Sequence, residues 1–423
     1  MYQKTKLKNG LTLLTAPLKE TKAVTVLVLL PVGSRYETQT INGSSHFIEH
    51  LMFKGTKKRP TSLDITKELD SVGAEYNAFT SKDHTGYYIK ISADKIELAF
   101  DLLSDMLFNS VFDANEINKE RGVIIEEINM YEDNPLMYLG AFFEETVFGD
   151  QPLGWHISGP RQVIKKITRR QIIQFKDKFY KPSQMILSVA GNFKKAHVSS
   201  LTKKYFGKSF SNKTKNNFKT IKLNQIKPKV NIRYQNTQQV QLGLGVPSYG
   251  SNNSKLYALY LLAVILGGNM SSRLFMKVRE EKGLAYYIKS DISSYRDVGA
   301  LLIQAGLDKR RIKEAITLIL KELRNVKENG VTEKELKSAK EFLKGKLILD
   351  LEDSESVCDW YGKQELLLNK TLTPEEKLNK IFNVKIQQIK KVAEELLKEE
   401  KLNLVLIGPF KNKSEFQKLL KIS

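Results

Sequence analysis

A chain of 423 residues, 41% hydrophobic and 9% aromatic, carries more apolar material than one core uses, and its scattered Gly and Pro exclude a long disordered tract. The net charge of +21, from 68 basic against 47 acidic residues, would attract nucleic acid, but the lysines are spread among glutamates along helical stretches, with no basic block, aromatic platform or zinc-finger spacing; a solvated lysine-rich surface is the reading. The single cysteine, Cys358, excludes an internal disulfide and any cysteine-cluster metal site.

The N-terminal MYQKTKLKNGLTLLTAPLKE lacks an apolar run of signal-peptide length and predicts strand, turn and strand about Asn9-Gly10. VTVLVLL (Val24 to Leu30) predicts a buried strand, and HFIEHLMF part of a helix. A second helix is expected from about Ser62 to Val72, capped after Pro60-Thr61 and ended by Gly73. AEYNAFT and TGYYIKIS then predict a strand pair, and Lys95 to Asn109 a helix of clear periodicity. DANEINKERGVIIEEINMYED, Asp113 to Asp133, predicts a long charged helix with an apolar stripe of Ile117, Ile124 and Ile128.

The second half offers the same order: strand VQLGLGV, helix from Lys255 to Leu266, helix SRLFMKVREEKG, strands AYYIKSDIS and GALLIQAGL, then helix KRRIKEAITLILKELRNV. Val24 to Tyr87 spans 63 positions and Gln241 to Leu302 spans 61, which predicts two lobes of one duplicated architecture. The expected division is a first lobe over 1–215, a polar linker over 216–230 and a homologous second lobe over 231–423. The fold class is α+β: two tandem lobes, each a mostly antiparallel sheet packed against helices, without a glycine-rich nucleotide loop. The longest apolar run, Leu256 to Leu266, is too short to cross a bilayer, so no membrane partner and a cytoplasmic location are expected.

His46-Phe-Ile-Glu-His50 spells H-x-x-E-H. On a helix His46, Glu49 and His50 point to one side, where two imidazoles one turn apart hold a Zn²⁺ and the carboxylate reaches water bound to it. A third ligand must come from elsewhere. Glu120 and Glu127, seven apart and so on one face of the helix, are the two candidates, either of which can face inward beside the apolar stripe, whereas Glu126 is rotated 100° away and reads as solvated. A buried carboxylate needs a partner charge, which a metal provides.

GSSHFIEHLMFKGT, followed by KERGVIIEEI with Glu127 77 residues after His50, closely resembles the pitrilysin, insulin-degrading enzyme and mitochondrial processing peptidase family of inverted zincins. AEYNAFTSKDHTGYY resembles that family's strand beside the cleft, and SSRLFMKVREEKGLAYYIKS its second-lobe signature, so the resemblance covers most of the chain. It implies zinc held by His46, His50 and Glu127, with Glu49 as general base and Glu120 as a supporting carboxylate. It further implies that Asn77, Ala78 and Phe79 form an edge strand to which an extended, unfolded peptide adds. Arg279 and Tyr286 match the pair that reaches the peptide: a guanidinium to clamp a carbonyl, a phenol to donate to the oxyanion.

The activity implied is that of a zinc metalloendopeptidase working in an enclosed cavity. Because one chain carries both the zinc motif and the Arg279/Tyr286 pair, the resemblance favours the bacterial homodimeric branch, with heterodimerisation alongside an inactive paralogue as the alternative. Two other classes are weighed against it: a non-catalytic scaffold subunit of the same fold, and a basic binding module motivated by the charge alone. His84, His156 and His197 belong to no motif.

Overall fold

The computed structural model describes residues 2–208 and 218–422. Residues 209–217, which include the expected end of the first lobe and start of the linker, lie outside the described residues. Two compact units emerge from the packing. The first draws on Met1–Asn129, Trp155–Lys219 and Ile348–Leu372, the second on Met130–Gly154, Thr220–Leu347 and Thr373–Ser423.

The first unit is built on six strands: β1 (Gln3–Lys6), β2 (Thr12–Pro17), β3 (Ala23–Leu30), β4 (Glu75–Thr80), β5 (Thr85–Ser92) and β6 (Ile186–Gly191). They lie in the order β1-β2-β6-β3-β5-β4, antiparallel except for the parallel β2–β6 pair. β1 and β2 form the expected hairpin, with Gly10 at a φ of 91° in its turn. β3 is central and buried on both sides, which explains its unbroken apolar run. Val24, Val26, Val28 and Leu30 enter one core, and Leu27 and Leu29 the other.

The first of these cores is covered by helices α1 (Ser44–Leu51), α2 (Ser62–Asp70), α3 (Ile96–Asn109) and α4 (Ala114–Asp133). α2 starts with a capping box in which Thr61 and Asp64 satisfy each other's backbone N–H groups, and Gly73, at a φ of 62°, follows its end. The stripe Ile117, Ile124 and Ile128 is buried as its spacing requires. The opposite face of the sheet is covered by helix Ser354–Leu368, drawn from the far end of the sequence. Its Val357, Cys358 and Tyr361 join Leu14, Leu27 and Leu29 in one core, and Thr25 and Ser354 hydroxyls meet at 2.7 Å. Gly362 permits the approach, since a Cβ there would stand 2.6 Å from Leu29 Cδ1.

The second unit repeats the arrangement in five strands: β7 (Lys229–Tyr234), β8 (Gln239–Tyr249), β9 (Ala285–Ser294), β10 (Val298–Asp308) and β11 (Asn403–Gly408). Their order, β7-β11-β8-β10-β9 with only β7–β11 parallel, matches β2-β6-β3-β5-β4 strand for strand. Both units are therefore mixed, mostly antiparallel sheets packed against several helices. The expected helix from Lys255 is α-helical over Leu256–Ala263 and widens to a π turn over Val264–Gly268; the next, Phe275–Glu281, is also π-type. Here the helix contributed by the other half of the sequence is α5 (Pro135–Phe148), whose Leu139, Phe142 and Phe143 pack on Ala300, Leu302 and Val405. At Gly245 on β8 a Cβ would stand 2.0 Å from the Leu301 carbonyl oxygen and 2.7 Å from the Phe143 ring. No helix among the described residues is long and apolar enough to cross a membrane.

Replacing Gly362 with Val forces a branched side chain into Leu29 and is expected to cost about 1–3 kcal/mol, as overpacking does. A lowered thermal midpoint, with Gly73→Val (open space, though φ 62°) as a strain-only control, checks it.

Candidate metal centre

α1 is only eight residues long, and its placement depends on one buried carboxylate. Glu37 Oε2 accepts from the Gly43 N–H at 2.7 Å and from Asn42 Nδ2 at 2.8 Å, while Oε1 accepts from the Ser45 N–H at 2.7 Å. These satisfy N–H groups that a helix start leaves unpaired, at the positive end of its dipole. Gly43 precedes the helix at a φ of 101°, with the Ser158 carbonyl 2.6 Å from where a Cβ would be. Phe47, Ile48 and Leu51 then anchor the helix in the core, which leaves His46, Glu49 and His50 on the remaining face.

Facing them is α4. His46 Nε2 and His50 Nε2 lie 3.2 Å apart, and Glu127 Oε2 lies 3.4 Å from the first and 3.5 Å from the second. Bonds of about 2.0–2.1 Å to a tetrahedral Zn²⁺ put ligand atoms roughly 3.3 Å apart, so this donor triangle fits that ion. It is the one group of three or more such donors among the described residues that could hold a metal. His50 Nδ1 lies 2.8 Å from Glu120 Oε1, and Glu120 Oε2 pairs with Lys54 Nζ at 2.7 Å. A carboxylate on the far nitrogen of a ligating imidazole fixes the ring and its tautomer.

Burial pulls the His50 imidazolium down, but Glu120 and then Glu127 outweigh it and lift it to about 9. Hydrogen bonds from His46 and His50 hold Glu127 down at about 2 against the upward push of burial. Glu120 is buried, which raises its carboxyl, yet His50 and Lys54 bring it below the ordinary value. The cluster is thus a carboxylate-rich, half-buried pocket that favours a cation, and a metal there competes with a proton on His50.

Glu49, on the same turn as His50, is partly buried, and its Oε2 accepts from Thr80 Oγ1 at 2.5 Å. Thr80 ends β4, the edge strand of the sheet, on which Asn77 is exposed, Ala78 buried and Phe79 half-buried. The Phe79 ring lies over Gly86, where a Cβ would stand 2.3 Å from it. Glu126 is exposed, as its rotation on α4 predicts. In the second unit Arg279 lies on helix Phe275–Glu281, 4.6 Å from the Phe275 ring centre and 3.8 Å from Glu280, and Tyr286 on β9 is 75% exposed.

The sequence reading missed Glu37, Lys54 and Thr80. Glu37 escapes because it caps α1 from six to eight residues away and not from the usual N-cap position. Lys54, one turn past His50, could have been found by asking what neutralises Glu120.

The profile for Insulinase (Peptidase family M16) matches residues 13–161, and that for the Peptidase M16 inactive domain residues 166–343. A Bacillus subtilis protein named uncharacterized zinc protease YmxG is 36% identical over 96% of this chain and 98% of its own length. An uncharacterized zinc protease of Mycobacterium leprae is 34% identical over 99% of this chain and 94% of its own. The crystal structure of a protease from Helicobacter pylori superposes with a TM-score of 0.89 at 26% identity, covering 97% of this chain and 99% of that one. A Pseudomonas fluorescens M16 inactive-domain structure also reaches 0.89, over 98% of this chain and 99% of that one, at 18% identity, a likeness of fold alone.

Two outcomes are expected. Glu127→Gln and His50→Ala each lose stoichiometric zinc, while Glu120→Gln retains it with about 10- to 100-fold weaker affinity; elemental analysis and competition with a chelating dye check this. Burial also pushes the Glu37 carboxyl from its ordinary 4.5 up to about 7, against its N–H donors. Glu37 then binds its proton more tightly folded than unfolded, so its stabilising contribution is complete below 4.5 and lost as pH rises through about 7. Thermal melts at pH 5.5 and 8.5 should show a loss of stability in the wild type that is smaller in Glu37→Gln.

Proposed function

This chain belongs to the M16 peptidase family, and we propose that it is a zinc metalloendopeptidase that hydrolyses extended, unfolded peptides. The observation that carries the reading is the donor triangle of His46, His50 and Glu127 with the Glu49 carboxylate on the same turn. A Zn²⁺ bound by those three residues supplies Lewis acidity, lowering the pKa of water and polarising the scissile carbonyl.

Glu49 takes the proton of the attacking water on its carboxylate and returns it to the leaving amine nitrogen. Glu120 orients His50 through Nδ1, and Lys54 balances the charge of Glu120. The peptide pairs with the outer edge of β4 by main-chain hydrogen bonds, beside Asn77, Ala78 and Phe79, and displaces the Asn77 side chain that holds the Ala78 N–H at 2.9 Å. That pairing requires an exposed backbone, which is why unfolded chains are the substrates. Arg279 clamps a substrate carbonyl through its planar donor fork, and the Tyr286 phenol donates to the oxyanion. The proposal includes a zinc-bearing lobe over 1–215, a second, substrate-binding lobe over 231–423, an enclosed cavity, a homodimer and a cytoplasmic location.

Glu49→Gln keeps the three metal donors but offers no base. It is expected to bind one zinc per chain and to lose at least about 100-fold in turnover of a quenched unstructured peptide. Undiminished turnover would sink the assignment.

A further inference from the structure

The strand on which the peptide is proposed to lie ends on the residue that holds the proposed base. Thr80 pairs with Thr85 as the last rung of the β4–β5 ladder. The hairpin closes just beyond it, where the Ser81 N–H donates to the His84 carbonyl at 2.8 Å, and Thr85 Oγ1 donates to the Val32 carbonyl at 2.8 Å. Both backbone and neighbours of Thr80 are therefore fixed by the sheet. Its β-branched side chain adds stiffness at χ1, so the strand sets the direction of the hydroxyl.

Alternation along β4 directs Asn77 and Phe79 to the face covered by helix Ser354–Leu368, and Ala78 and Thr80 to the face that carries α1. Ala78 is buried there, and its small side chain lets α1 come close enough for Thr80 Oγ1 to reach Glu49 Oε2 at 2.5 Å. A hydroxyl has one proton to donate, and here it goes to Oε2. Glu49 Oε1 has no hydrogen-bond partner among the described residues and is the oxygen left for the proton of a water.

We infer that Thr80 is a positioning residue for the reaction. It holds one oxygen of Glu49 so that the other faces the attacking water, and it places base and substrate strand in one rigid frame. The inference rests on the assignment of Glu49 as general base and adds to it the group that aims it. Orientation of this kind matters because a reacting group misplaced by about 1 Å costs about 100-fold in rate.

Thr80→Val removes the donor at nearly constant volume, and Thr80→Ser keeps it. Steady-state kinetics on a quenched unstructured peptide are read with zinc content and thermal midpoint on the same samples. Thr80→Val is expected to retain zinc, to hold KM within about twofold and to lose about 10- to 100-fold in kcat, whereas Thr80→Ser stays within about threefold of the wild type. A wild-type kcat in Thr80→Val overturns the inference. So does a change confined to KM, or an equal loss in the Ser variant, which would assign the effect to packing of the methyl group. If Thr80→Val does not fold, Thr80→Ala against Thr80→Ser makes the same comparison. Full turnover by Glu49→Gln would instead remove the base assignment, a failure read on a different variant and separable from any result at Thr80.

Discussion

Three donor atoms within 3.5 Å of one another, from two helices, form an arrangement that costs free energy to assemble. Two imidazoles and two carboxylates must leave water together, and each is tolerable only because another faces it. The rest of the first unit can be understood as the means of meeting that cost. Apolar residues on α1 and α4 press the two helices into one core, Lys54 offsets the charge of Glu120, and Glu37 ties down the start of α1. The perturbed groups, His50 lifted to about 9 and Glu127 held at about 2, are what such enforced proximity produces, and strongly perturbed groups collected in one place mark a functional site.

The sheet contributes more than support. β4 is the edge strand of the sheet, a position a folded protein ordinarily has reason to protect, and its Ala78 N–H is held by the Asn77 side chain at 2.9 Å. Its last residue touches Glu49 directly. β4 and Glu49 are thus joined through the Thr80 hydroxyl, so a displacement of either is transmitted to the other.

Five strands of each unit share one order and one pattern of strand senses, and in each unit a helix from the other half of the sequence covers one face of the sheet. The pattern makes sense for sheets whose central strands are apolar on both sides: each face needs cover, and helices local in sequence supply it on one side only. Glycine stands at both contacts: a Cβ at Gly362 would stand 2.6 Å from Leu29 Cδ1, and one at Gly245 would meet both the Leu301 carbonyl and the Phe143 ring.

Most elements were legible in the sequence, since periodicity, caps and turn glycines act within a few residues: the Thr61 capping box, the Asn9-Gly10 hairpin and the stripe of Ile117, Ile124 and Ile128 are all local signals. The spacing of His46, Glu49 and His50 is likewise a property of one helical turn, so their shared face was determined by sequence alone. Residue types and helix phase narrowed the expected third ligand to Glu120 or Glu127, and the resemblance pointed to Glu127. Only the tertiary structure decided that Glu127 meets both imidazoles while Glu120 stands behind His50, that Glu37 caps α1 from outside the helix, that Thr80 reaches Glu49, and which helix covers which sheet. Those contacts join residues whose separation along the chain carries no periodic signal, and packing, which responds to shape and volume across the whole core, is what brings them together.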